Sequence, residues 1–161
     1  MNQVKTNKIS KYALSLIAVA TLSCSSLSFG INISQAIEKK DIKRVAEILQ
    51  DTSFDVNKAD NDNWTPLYWA CRINNLDIVK LLLANGAQES INKANNDGKT
   101  PLYLACWKDN LDIVKLLLAN GAQESINKAD KLGSTPLYSA CENDNLGIVK
   151  LLLADGAEKS R

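Results

Sequence analysis

Three cysteines, Cys71, Cys106 and Cys141, stand 35 residues apart, and a thiol can be a nucleophile, a metal ligand or half of a disulfide. Each role needs company. A nucleophilic thiol needs a base beside it, and histidine, the commonest, is absent from all 161 residues. A metal site needs ligands at short, recognisable spacings, and no such pattern occurs; nor does a glycine-rich phosphate loop. The carboxylates are scattered over turns and polar faces. Asn32-Ile33-Ser34 and Asn63-Trp64-Thr65 match the glycosylation sequon, which acts only in a eukaryotic secretory route. No catalytic constellation, cofactor site or metal site emerges, and an enzyme is the least favoured class.

The cysteine spacing belongs to a longer pattern. TPLYWAC at 65–71 returns as TPLYLAC at 100–106 and TPLYSAC at 135–141, and NLDIVKLLLANGAQESINKA stands unchanged at 75–94 and 110–129. LGIVKLLLADGA (146–157) continues the frame, and ISQAIEKKDIKRVAEILQ (33–50) fits it without a TPLY, with Ala36 answering to Ala70 and Leu49 to Leu83. Each unit reads as two helices. Thr65, Thr100 and Thr135 suit the N-cap, and the prolines that follow suit the first helical position. The first helix runs to Arg72, Trp107 and Glu142. Asn74, Asp109 and Asp144 then take a left-handed turn. A second helix spans 76–84 and its repeats, with Asp77 and Asp112 at its positive end and Gly86, Gly121 and Gly156 closing it. Gly98 and Gly133, with Asn63 in their place in the earlier copy, mark a turn before each first helix.

The TPL opening, the IVKLLLANGA core and the DG turn resemble the ankyrin repeat over residues 33–161. Two features depart from that family. Tyr68, Tyr103 and Tyr138 replace the usual histidine after TPL, and the period is 35 instead of about 33. The two extra residues fall in GAQESIN (86–92) and are expected to lengthen the connecting loop. The resemblance implies an all-α, helix-turn-helix solenoid of about four repeats with short hairpin-like finger turns. The expected parts are a capping repeat at 31–60, repeats at 61–95 and 96–130, and a last repeat at 131–161. Ile78, Val79, Leu81 and Leu82 would then pack on the repeats before and after. The cysteines fill a slot where the family usually has alanine, as small hydrophobes. Packed helices stand about 8–10 Å apart, beyond the ~7 Å Cα limit of a disulfide, so buried, unbridged thiols are expected.

The copies differ in one window. Against the third unit the second changes at Asp60/Asn95, Asn63/Gly98, Trp64/Lys99, Trp69/Leu104, Arg72/Trp107, Ile73/Lys108 and Asn74/Asp109, while TPLY and AC stay fixed within it. In proteins the chain resembles, finger tips and first-helix surfaces grip another protein. Carried over by position, the second unit supplies Asn61, Asp62, Trp64, Arg72 and Ile73. The third supplies Asn96, Asp97, Lys99, Trp107 and Lys108, and the fourth Lys131, Leu132, Ser134, Glu142 and Asn143. Trp69 lies beside them in a half-buried position. All three tryptophans sit where the copies disagree, and tryptophan and arginine are the types most enriched among interface hot spots.

The start of the chain reads separately. Lys5, Lys8 and Lys11, the apolar run Tyr12–Leu22 and a serine-rich stretch to Gly30 form the order of a secretory signal at 1–30. Ser28 and Gly30 place the cut before Ile31. The apolar run is short of the ~20 residues that span a bilayer, and Thr21 is a poor −3 residue for lipidation at Cys24. Loss of three lysines leaves 16 basic against 18 acidic residues, a net charge of −2. That balance gives no electrostatic case for nucleic acid or an anionic membrane. The charged first unit suits a cap, whereas Leu151, Leu152 and Leu153 repeat interior text near the C-terminus, an apolar edge open to self-association. The expectation is an exported protein-binding module, bacterial by its signal and its Asn, Lys and Ile usage, and directed at host proteins. The alternatives are a periplasmic module regulating an enzyme of the same cell, or a self-assembling structural piece.

Overall fold

The computed structural model describes residues 32–158; the expected signal segment and Cys24 lie outside them. Eight α-helices form four pairs among the described residues: α1 (Ile33–Glu38) with α2 (Ile42–Leu49), α3 (Pro66–Arg72) with α4 (Leu76–Ala84), α5 (Pro101–Trp107) with α6 (Leu111–Ala119), and α7 (Pro136–Glu142) with α8 (Leu146–Ala154). The first helices begin as their text requires. Thr65, Thr100 and Thr135 accept hydrogen bonds from the backbone N–H groups of Tyr68, Tyr103 and Tyr138 at 3.1–3.2 Å, and proline opens each helix. Asn74, Asp109 and Asp144 take the left-handed conformation between paired helices, as does Lys40 in the first pair. Gly86, Gly121 and Gly156 close α4, α6 and α8 with φ of 95–104°. These angles are what let the chain reverse so soon.

The pairs stack in two rows. In one row α1 packs on α3, α3 on α5 and α5 on α7; in the other α2 packs on α4, α4 on α6 and α6 on α8. Ile78, Val79 and Leu82, with their counterparts Ile113, Val114 and Leu117, are wholly buried between them. Leu81 is only half-buried, and Leu83 takes the place expected for it in the core. On a helix, positions 78, 79, 82 and 83 form one stripe, while 81 falls to its side.

Two other expectations change. The residues inserted after the second helix wind into single 3-10 turns, Ala87–Ser90 and Ala122–Ser125, instead of an open loop. Ala87, Ser90 and Ile91 are buried there, and the Ser90 and Ser125 hydroxyls donate to the Ala87 and Ala122 carbonyls at 3.0 Å. The insertion therefore adds core. Cys71 and Cys106 are buried free thiols, but Cys141 is exposed because no described repeat covers the outer side of α7. Burial pushes the Cys106 thiol up to about 12 and Cys71 higher still, so both stay protonated and unreactive.

Asparagines tie the repeats together, a layer that the apolar pattern alone does not reveal. Asn75, Asn110 and Asn145 cap α4, α6 and α8 through Oδ1. The Nδ2 of Asn110 then donates to Asn74 of the preceding repeat at 2.6 Å, and that of Asn145 to Asp109. Asn57, Asn92 and Asn127 each donate to the glycine carbonyl closing the next repeat, Gly86, Gly121 and Gly156, at 2.9–3.2 Å. The invariance of NLDIVKLLLANGAQESINKA thus has polar as well as apolar causes: its first asparagine caps the helix in both copies and, as Asn110, also binds backward, while Asn92 and Asn127 bind forward.

Candidate protein-binding face

Before each of α3, α5 and α7 the chain makes a tight finger. Asp60, Asn95 and Asp130 start it, each with a backbone N–H donating to the carbonyl four residues on, Trp64, Lys99 and Ser134, at 2.9–3.1 Å. Their side-chain oxygens accept two backbone N–H groups of the same turn at 2.9–3.0 Å. The fingers are hairpin-like turns, and no strand forms among the described residues. They are also joined to each other: Asn96 N–H donates to the Asp62 carbonyl at 3.2 Å and Lys131 N–H to the Asp97 carbonyl at 2.8 Å. A row of fingers fixed by backbone bonds loses little freedom when something binds it.

Tyrosine replaces histidine in a bridging role. The Tyr68 hydroxyl meets Nδ2 of Asn95, in the next finger, at 2.9 Å. Burial, then the charge of Asp97, pushes the Tyr68 phenol up to about 12, so it remains a neutral hydrogen-bonding group. Tyr103 is likewise raised by burial and by Asp130 of its following finger.

One finger glycine is held more tightly than the other. Gly98 and Gly133 both have φ of +83°, but a Cβ on Gly98 would sit 3.0 Å from Asp130 Cα and 3.2 Å from Lys131 N, whereas one on Gly133 meets nothing within 4 Å. Alanine at 133 carries only the left-handed strain, about 1–2 kcal/mol. Alanine at 98 adds a backbone displacement, for a total of about 2–4 kcal/mol. Urea unfolding of Gly98→Ala and Gly133→Ala in parallel checks this; equal losses would mean that the fingers are free to part.

The residues expected to bind lie outside the core. Asn61, Asp62, Asn96, Asp97, Lys131 and Leu132 are exposed on the fingers, with Leu132 87 % exposed at a tip. Trp64, Lys99 and Ser134, one position from each finger's end, are half-buried. At the ends of the first helices Arg72, Trp107, Glu142 and Asn143 are exposed, while Ile73 and Lys108 are half-buried. The second unit draws its set into one cluster. The Trp64 and Trp69 rings meet edge to face at 4.6 Å, Trp64 lies 5.4 Å from Tyr68, and the Arg72 guanidinium sits 4.8 and 4.9 Å from the two indoles. In the third unit Lys108 Nζ lies 4.4 Å from the Trp107 ring and Lys99 Nζ 5.5 Å from Tyr103. The fourth unit joins through Asn143, which donates to the Trp107 carbonyl at 3.0 Å. Asp60 was not among the expected residues, yet its Oδ2 accepts the Trp69 indole N–H at 3.2 Å and so holds the cluster to the finger. An Asp or Asn at the first position of every finger was the signal for it.

A family model described as ankyrin repeats, in three copies, matches residues 33–130 and 92–161. The chain belongs to the ankyrin-repeat family. Its paired helices and stacked fingers are those of an ankyrin solenoid, a generic module for protein–protein interaction and typically not an enzyme. A curated protein named probable palmitoyltransferase AKR2, from Saccharomyces uvarum, is 38 % identical over 53 residues. That stretch is 33 % of this ankyrin chain and 7 % of the relative, so the likeness concerns repeats and leaves the activity in that protein's name with that protein. No helix among the described residues is long and apolar enough to cross a membrane.

Proposed function

We propose that the ankyrin stack holds a partner protein on its fingers and first-helix ends, without catalysis. The observation that carries this reading is the cluster of Trp64, Trp69 and Arg72 beside exposed Trp107, all at positions where otherwise near-identical repeats differ. Repeat-to-repeat identity serves the stacking; the variable aromatic and cationic residues serve recognition. The basic start and the apolar run at Tyr12–Leu22 support export, the Asn, Lys and Ile usage supports a bacterial source, and host proteins are the target proposed for such a module.

A second reading has its own support. Tyr138, Leu146 and Leu153 are 45, 62 and 38 % exposed, whereas their counterparts Tyr103 and Leu118 are buried and Leu111 is half-buried. The last repeat therefore shows an apolar side of the kind that interior repeats cover, suited to a second copy of the chain. One experiment separates the two. A photo-crosslinking amino acid is placed at position 107 or 132, at exposed Lys80 or Lys115 on the second helices, or at 146. Heterologous adducts from 107 and 132 but not from 80 and 115 are expected. Adducts from the second-helix positions instead would reject the proposed face, and chain-to-chain adducts from 146 alone would favour self-assembly.

A further inference from the structure

The finger position and the helix-end position exchange chemistry between neighbouring repeats. Trp64 in the second unit is replaced by Lys99 in the third, and Arg72 by Trp107. Because α3 packs on α5, equivalent positions are neighbours along the stack, with packed helices about 8–10 Å apart. The result is a strip across the second and third units in which cation and aromatic alternate, ending at Ser134 and Glu142 of the fourth. Each cation rests near a ring: Arg72 between Trp64 and Trp69, Lys99 over Tyr103, Lys108 over Trp107. A ring beneath a cation restrains the side chain and excludes water from one side, but leaves its N–H donors free.

The cations are short of internal partners. Among the described residues neither Lys99 nor Lys108 has a carboxylate within 4.0 Å, and Arg72 reaches one, Glu38, only at 4.0 Å. The carboxylates nearby are engaged or lie elsewhere. Asp60 accepts from its turn and from Trp69, Asp130 accepts from its turn, and Glu142 faces the Tyr138 hydroxyl. Asp62 and Asp97 stand exposed on the fingers and repel anions there, which directs an acidic ligand toward the helix ends.

We propose that this strip selects an acidic segment of a partner protein, its carboxylates taken by Lys99, Lys108 and the open edge of Arg72 and its apolar side chains lying on Trp64 and Trp107. The inference rests on the protein-binding reading and names the chemistry of the partner. Protein carboxylates fit better than nucleic acid: the cations are few and interrupted by rings, and Asp62 and Asp97 flank them, unlike the continuous basic track that follows a phosphate backbone.

The test is to pan a library of short displayed peptides over the immobilised full chain, then measure synthetic copies of the enriched sequences against the native protein and a Lys99→Gln, Lys108→Gln variant. Acid-rich peptides with apolar neighbours are expected, bound about tenfold more weakly by the variant and progressively more weakly as salt rises. Enrichment of neutral or basic peptides, acidic peptides that ignore the variant, or no enrichment would overturn the proposal. So would a single-stranded RNA oligonucleotide that bound more tightly than the peptides. Neutral peptides released by Trp64→Ala with Trp107→Ala would keep the face while removing its acidic preference. Failure of both panning and crosslinking would remove the face as well.

Discussion

Leu117→Ala is expected to lower the unfolding free energy by about 2–5 kcal/mol, the cost of emptying a buried leucine site. Leu117 is wholly buried in α6, with α4 packed on one side and α8 on the other, so the void opens at a junction that both neighbours depend on. A solenoid is stabilised by its repeats and by the interfaces between them, and α6 takes part in two of those interfaces. Leu116→Ala, one residue away and half-buried, is expected to cost about 1 kcal/mol, since less apolar area leaves water there. Leu153→Ala, at a 38 % exposed site, should cost least. Urea denaturation followed by helical circular dichroism checks the order. Equal losses at 116 and 117 would mean that the helices are rotated from the arrangement described.

Much of this was legible in the sequence. Threonine-proline marked α3, α5 and α7 and glycine closed α4, α6 and α8, because caps and left-handed turns are set by local chemistry. The 35-residue period gave the stacking. Other features depended on what the repeats present to one another. In LLL, hydropathy cannot say which leucine points inward, and Leu83 rather than Leu81 did so once α4 had docked. The insertion in GAQESIN looked like loop because it is polar, yet Ser90 and Ser125 satisfy their hydroxyls locally and let the 3-10 turn be buried. Cys141 shares its text with Cys71 and Cys106, but its exposure follows from its place in the stack. On the candidate face, the sequence separated variable from fixed positions. It did not show that Trp64, Trp69 and Arg72 gather into one cluster, or that Asp60 holds it, because Asp60 and Trp69 are nine residues apart and meet only when the finger folds over α3.

The second large effect is on binding. Buried at an interface, tryptophan and arginine anchors cost ~2 kcal/mol or more each when truncated, and such losses do not simply add. A Trp64→Ala, Arg72→Ala, Trp107→Ala variant is therefore expected to bind the captured partner at least about a hundredfold more weakly. Its fold should survive: all three side chains are exposed or half-buried, and the Arg72–Glu38 pair, at 4.0 Å between exposed groups, contributes little. Lys80→Ala with Lys115→Ala, on the second helices, is the matched control, and its affinity should be unchanged. The decisive measurement is the dissociation constant of the crosslinked partner for the native chain and both variants, with unfolding curves taken on the same samples. A hundredfold loss confined to the tryptophan and arginine variant, with its unfolding curve intact, is the result expected of a partner seated on the fingers and first-helix ends. An unchanged constant for that variant, or a loss seen only with the lysine control, would contradict it.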